Sequence, residues 1–273
     1  GGLSSADSGG GSRPSQGNSG KLPPPGAAQF GGGTAEAVGY FTAATKILVI
    51  TMSLSSSLGA VIMPRTSNLI AENKMDEFKV LIQKSYDFIL ALAMPLTVGL
   101  IFTSPSVILL LSGESFAPAI LTSQIVALNI LMVGISGVMG LQVLYPMGRI
   151  NIVILCTFIG AVVNVVLNVL LIPVYGHNGT AVAYMLAEVA VTVSMFIIGR
   201  RYIPIQFFKK EHLHYVLGSV VMGGCLYILS QFYLGSMKTL VVMIIAGCLV
   251  YTLILLALKN SISTIILKMI KRS

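Results

Sequence analysis

Residues 164–188, NVVLNVLLIPVYGHNGTAVAYMLAE, hold two apolar blocks parted by Pro173 and by the pair Gly176 and Gly179. The block before the proline completes an uncharged run over 152–172, and the block after the glycines opens a second run over 179–198. At 1.5 Å per residue, runs of about 20 residues span a hydrocarbon core of roughly 30 Å. Neither run shows the strict apolar–polar alternation of a barrel strand. Helices, which satisfy every backbone group internally, are then the form a bilayer permits. Proline followed by two glycines is turn chemistry. The stretch therefore reads as two transmembrane helices joined by a tight turn.

Working outward, five more apolar blocks cover 38–63, 86–102, 119–145, 213–234 and 240–258. The fold class predicted is all-α, a polytopic membrane protein of about seven transmembrane helices over residues 37–273. Composition agrees. Of 273 residues 55% are hydrophobic and 10% charged, with mean hydropathy +0.89, whereas a soluble domain carries roughly a quarter charged residues. Residues 1–36 differ in kind. They are rich in Gly, Ser and Pro, include Pro23-Pro24-Pro25, and hold too little apolar surface to offset the entropy of ordering. A disordered tail is expected there, with no charged region followed by an apolar one of the kind a signal peptide needs.

Loop charge tests the span count independently. Arg65, Lys74, Lys79 and Lys84 lie between the first two spans, and the next connection carries only Glu114. Arg149 follows, then a connection with only His177, then Arg200, Arg201, Lys209 and Lys210, then Lys238 alone. Lys259, Lys268, Lys271 and Arg272 close the chain. Basic and bare connections alternate, which by the positive-inside rule predicts a cytoplasmic C-terminus. This placement of the cations explains the net charge of +8. It leaves no basic face interleaved with aromatics, so nucleic acid is not an expected partner.

Cys156, Cys225 and Cys248 sit inside apolar blocks without ligand spacing, and neither disulfide nor metal is expected. His177, His212 and His214 fall near predicted helix ends and read as solvated interfacial residues. No catalytic constellation, P-loop or dinucleotide fingerprint occurs, so the chain reads as neither an enzyme nor a nucleotide-driven pump, and no cofactor is expected.

Two charged residues, Lys46 and Glu188, fall well inside the predicted spans. An ionisable group at membrane depth faces a bundle interior or a watery cavity by default. At 100° per residue Thr42, Lys46, Ser53 and Ser57 share a narrow arc, the pattern of a cavity wall. Lys46 could also snorkel to the interface. Glu188 shares a face with Tyr184 and Thr192 and reads either as a coupling site or as a carboxyl satisfied by a neighbouring helix. Asn164 and Asn168 continue a face begun by Gly160, where small residues and amides commonly glue helices together. Pro95 is expected to kink its helix, and Gly134, Gly137 and Gly140 to allow close packing or bending.

Several stretches resemble the polysaccharide and O-antigen flippases of the multidrug, oligosaccharidyl-lipid and polysaccharide exporter superfamily. They are VGYFTAATKI over 38–47, VIMPR over 61–65 as a helix-ending Pro-Arg, LLSGESF over 110–116, and residues 164–188 quoted above. The resemblance covers about 35 to the C-terminus. It implies two helical lobes around a central cavity that opens alternately to either side. It also implies that the chain is the C-terminal portion, beginning at the second helix of that lobe, with an N-terminal lobe as partner. The cargo implied is an undecaprenyl-pyrophosphate-linked oligosaccharide, moved across the bacterial inner membrane for surface polysaccharide synthesis. Membrane lipids and polysaccharide assembly proteins are the further partners. A basic residue at the position of Lys46 lines the cavity in related precursor flippases.

Two rivals have distinct signatures. A multidrug exporter of the same superfamily would use acidic cavity residues, of which Glu188 is the candidate. A seven-helix receptor or sensor would share the topology, but the last span has no Lys for a retinal Schiff base and the chain has no Trp.

Overall fold

The computed structural model describes residues 35–232 and 237–258, without the side chains of 54–58, 60 and 232. All regular structure among them is helical: α1 (Ala35–Ala71), α2 (Met75–Ser112), α3 (Ala119–Ala127), α4 (Asn129–Gly137), α5 (Ile150–Gly199), α6 (Lys210–Phe232) and α7 (Met237–Ala257). A π-helical turn, Val138–Leu144, continues α4. The expected tail lies outside the described residues, apart from Ala35 and Glu36, which open α1.

Helices α3 and α4 with the π turn form one crossing of 26 residues, Ala119–Leu144. The 50-residue α5 makes two crossings, because Gly176 breaks it with φ +55° and ψ −131°, a combination closed to L side chains. Its arms, 150–175 and 177–199, then run side by side. Gly160 lies so close to Val191 and Ala187 that a Cβ there would clash with Val191 Cγ2, and Gly179 lies against the Leu171 backbone with no room for a Cβ either. Counting both arms, the described residues make seven crossings, at the places hydropathy marks.

Helix ends extend beyond the predicted spans. Pro64 does not end α1, which continues to Ala71. A proline removes one backbone donor, and just past it the Thr66 and Ser67 hydroxyls both donate to the Met63 carbonyl, at 2.7 and 3.1 Å. The predicted charged loop of some twenty residues is instead a three-residue turn. Asn73 takes φ +55°, its N–H donates to Ile70, and the Lys74 N–H donates back to Leu69 at 2.9 Å. That pairing is a Schellman stop, so the charges of 65–84 ride on helix ends.

The two kinds of connection separate in space. At one end Tyr40 packs edge-on against Phe116 and His177, and His177 Nε2 sits 3.3 Å from the Pro118 carbonyl. This gathers the start of α1, the α2–α3 connection and the Gly176 turn, all poor in cations. At the other end Arg149 stacks over Tyr202 at 4.6 Å, and the 200–209 linker bonds to the start of α2. The alternation of loop charge is thus a real division between two ends of the bundle.

Candidate functional site

Helix α1 presents Thr42, Lys46, Val49 and Ser53 on one exposed face. The hydroxyls of Thr42 and Ser53 donate to carbonyls of their own helix, Val38 and Ile50, both at 2.7 Å. Lys46 makes no ion pair among the described residues. The side chain of Ser57, the fourth residue of the expected stripe, lies outside the described residues.

This face runs into a cavity of about 370 Å³ between α1, α2, α4 with its π turn, and the second arm of α5. Ser53, Gln142 and Tyr184 supply its polar lining, and Gly134 and Gly137 leave room for it. Gly134 is tight, since a Cβ there would lie 3.0 Å from Ile89, whereas Gly137 has open space beside it. Gln142 is 2% exposed and held by the Ser85 hydroxyl, which donates to its Oε1 at 2.6 Å. The π turn turns Gln142 toward α2 at this point, and π bulges inside helices frequently mark functional positions. The chemistry available is that of a binding surface, with hydroxyls, one amide, one phenol and a cation two turns away. No group here is arranged as a nucleophile with a base.

Of the expected residues, the structure brings Ser53 to the cavity. Thr42 and Lys46 stand on the same face beyond its rim. Glu188 is half-buried one turn from Tyr184, has no cationic partner among the described residues, and does not meet Lys46. Asn164 and Asn168 bond to each other, with Asn168 Nδ2 donating to the Asn164 Oδ1 at 3.0 Å and to its carbonyl at 2.9 Å. The Asn168 Oδ1 is buried without a partner. At helical spacing they continue the face on which Gly160 meets Val191 and Ala187 of the second arm.

One expectation needs correction. His212 is not a solvated interfacial residue. Its side chain is 9% exposed, and its Nε2 lies 2.9 Å from Asp87 Oδ1. Asp87 stands at the edge of the second predicted span, 86–102, and is 17% exposed. It accepts from Lys209 Nζ at 3.0 Å and from Gln83 Nε2 at 2.7 Å as well. Three groups, from α2, the linker and α6, meet on one carboxylate. Neither Gln142 nor Asp87 stands out in the sequence, because the first is a lone amide outside any polar stripe and the second lies at a span's edge. A buried amide in an apolar block, or an acid at a span's edge, carries the same desolvation demand.

The described residues form a multi-pass helical lobe with a polar-lipped cavity, an architecture suited to transport across a membrane. A family model described as "Lipid II flippase MurJ" matches residues 35–265. The chain belongs to that family, which is one of transporters and not of enzymes. The resemblance is therefore sound at the level of precursor flippases, while the match falls on the lipid II branch, not the polysaccharide branch. Among solved structures, "Lipid II flippase MurJ, inward closed conformation" superposes with a TM-score of 0.68 at 18% identity, over 80% of this chain and 46% of that one. The chain thus spans about half the length of that structure. No curated protein matches it.

Proposed function

We propose that this chain is the C-terminal portion of a flippase that carries a polyprenyl-pyrophosphate-linked sugar across the bacterial inner membrane, with lipid II as the cargo. The observation that carries this reading is the face of α1. A lysine without an ion-pair partner among the described residues stands at membrane depth, in line with hydroxyls that lead into a cavity, within a chain of the lipid II flippase family. A cation exposed there is costly on a single helix and useful only opposite an anion. A pyrophosphate meets that need through charge-assisted hydrogen bonds. Thr42, Ser53 and Ser57 would offer hydroxyls to the sugar or phosphate. Glu188 would be the acid to couple movement to a cation, and Asn164 and Asn168 would serve either that coupling or the packing of the two arms of α5. The other lobe supplies the opposite wall.

The test is flipping of labelled lipid II by the full-length protein in proteoliposomes. Lys46→Ala is expected to slow it at least about tenfold, the loss of one charge-assisted contact, and Lys46→Arg to retain most of it. Efflux of small aromatic cations without lipid flipping would replace this reading with the multidrug one. A preference for a longer oligosaccharide headgroup over lipid II would return the cargo to the polysaccharide class.

The basic end of the bundle is placed on the cytoplasmic side. Phe208 is 98% exposed on the 200–209 linker. In intact cells a Phe208→Cys variant is expected to resist a membrane-impermeant maleimide, and in inverted vesicles to react with it. The opposite pattern would reverse the topology.

A further inference from the structure

Helix α2 crosses the bundle through two prolines, Pro95 and Pro105. Each removes a donor and strands the carbonyl four residues earlier, which in a bilayer must find another partner. At Pro105 the stranded carbonyl is that of Ile101, which accepts from Ser104 Oγ at 3.0 Å and from Gln124 Nε2 of α3 at 3.2 Å. At Pro95 it is that of Ala91, and the Tyr251 hydroxyl of α7 donates to it at 2.7 Å. The break nearest mid-helix is thus closed by a residue from the far end of the chain.

Helix α6 holds α2 on both sides of the same proline. Before it, Asp87 receives His212 and Lys209. After it, Gly223 approaches so closely that a Cβ would lie 2.9 Å from Val98 Cγ1 and 3.0 Å from Phe102 Cε2. Among the described residues α6 and α7 pack substantially on α2 and on each other, and on no other helix.

We propose that α6 and α7 act as a splint across Pro95, fixing the bend of α2 and moving with it as one unit. A proline lowers the barrier to bending because the ladder is already open there. Two polar attachments before the break and close backbone packing after it hold the open ladder in one geometry. Lifting the hairpin leaves the Ala91 carbonyl bare in the membrane and the Asp87 carboxylate without its cation. Hairpin docking and the bend of α2 are therefore one equilibrium, whatever the cargo.

The test is a distance measurement between spin labels at Val80 and Leu111, both exposed near the two ends of α2. The measurement uses the full-length protein in lipid nanodiscs, with Cys225 and Cys248 replaced by Ala. The sites are about 46 Å apart along a straight helix. One narrow distance is expected for the parent. Tyr251→Phe, which removes one hydroxyl and no packing, should broaden the distribution toward shorter values, and adding Asp87→Asn should make it about twice as wide as in the parent. A distribution unchanged in Tyr251→Phe and in the double variant overturns the splint, as does a parent already as broad as either. Should the double variant fail to fold, Tyr251→Phe alone decides.

Discussion

Valine at position 179 is expected to pry the two arms of α5 apart and to destabilise the protein by about 3 kcal/mol, at the upper end of the usual overpacking range. A Cβ at Gly179 would meet the Leu171 carbonyl oxygen and carbon at 2.5 and 2.7 Å, and Leu171 Cβ at 3.1 Å. Backbone atoms on the facing arm cannot swing aside as a side-chain tip can, so the whole arm must shift. Seven residues lie between the two contacting positions, with Gly176 among them at a positive φ, and so short a turn has little slack. Gly160 carries the same arm-to-arm contact further down, so the shift is felt along the whole pair. Cys156 offers the readout. It is fully buried on the first arm and should stay silent to a thiol-reactive dye until the arms separate. In full-length protein in detergent, Gly179→Val should expose Cys156 at a clearly lower temperature than the parent. Alanine at 179 should fall between the two, because it brings the Cβ without the branch. Equal transitions for all three would mean that the arms are not held by this approach.

That glycine shows how much of the fold was legible. The crossings could be read because a bilayer imposes length and apolarity on every span, and both properties are local in sequence. Residues 164–188 also announced a turn, and the Gly-x-x-Gly spacing now has a cause at each end: Gly176 for its dihedral angles and Gly179 for the approach of Leu171. Helix ends were less legible. Hydropathy reports where lipid stops, whereas α1 and α2 continue past it as charged helix to a Schellman turn at Asn73. Pro64 misled for a related reason, since it looks like a stop but α1 continues past it, with the Thr66 and Ser67 hydroxyls on the Met63 carbonyl. At Pro95 a tyrosine 156 positions away closes the open ladder, a partner without a local signal. The candidate site was half legible. The stripe on α1 follows from 100° periodicity alone. Its partners Gln142 and Tyr184 depend on a π turn and on the return of α5, neither of which has a local signature.

Removing the Asp87 carboxylate is the second change expected to have a large effect, about 2 to 3 kcal/mol for Asp87→Ala. The carboxylate holds together groups from three segments. Lys209 and His212 reach it from beyond the end of α5, and Gln83 reaches it from one turn before on α2. Gln83 in turn accepts from the Gln206 backbone N–H at 2.8 Å, so linker backbone and side chain are tied to the same turn of α2. His212 Nε2 lies 2.9 Å from Asp87 Oδ1, and on the other side of the ring Nδ1 lies 3.0 Å from the Phe207 carbonyl and 3.3 Å from the Lys209 backbone nitrogen. With alanine at 87, a lysine ammonium and an imidazole N–H lose their acceptor in a setting where Tyr86, Phe207 and Tyr215 pack on the imidazole or on each other. Lys209 is about a quarter exposed and recovers part of its solvation by turning outward, which keeps the effect below that of a fully buried pair. Asparagine should cost about half as much, since its amide oxygen still accepts from His212 or Gln83 while the ion pair is lost. The linker carries its own reporter, because Arg200, Arg201, Lys209 and Lys210 are tryptic sites. Cleavage in inverted vesicles should be slow in the parent, faster in Asp87→Asn and fastest in Asp87→Ala, while cleavage at Arg149 changes little. If the linker is cut at the parent's rate in both variants, Asp87 does not hold the start of α6 to α2, and the attachment rests on apolar packing and the Tyr251 bond alone.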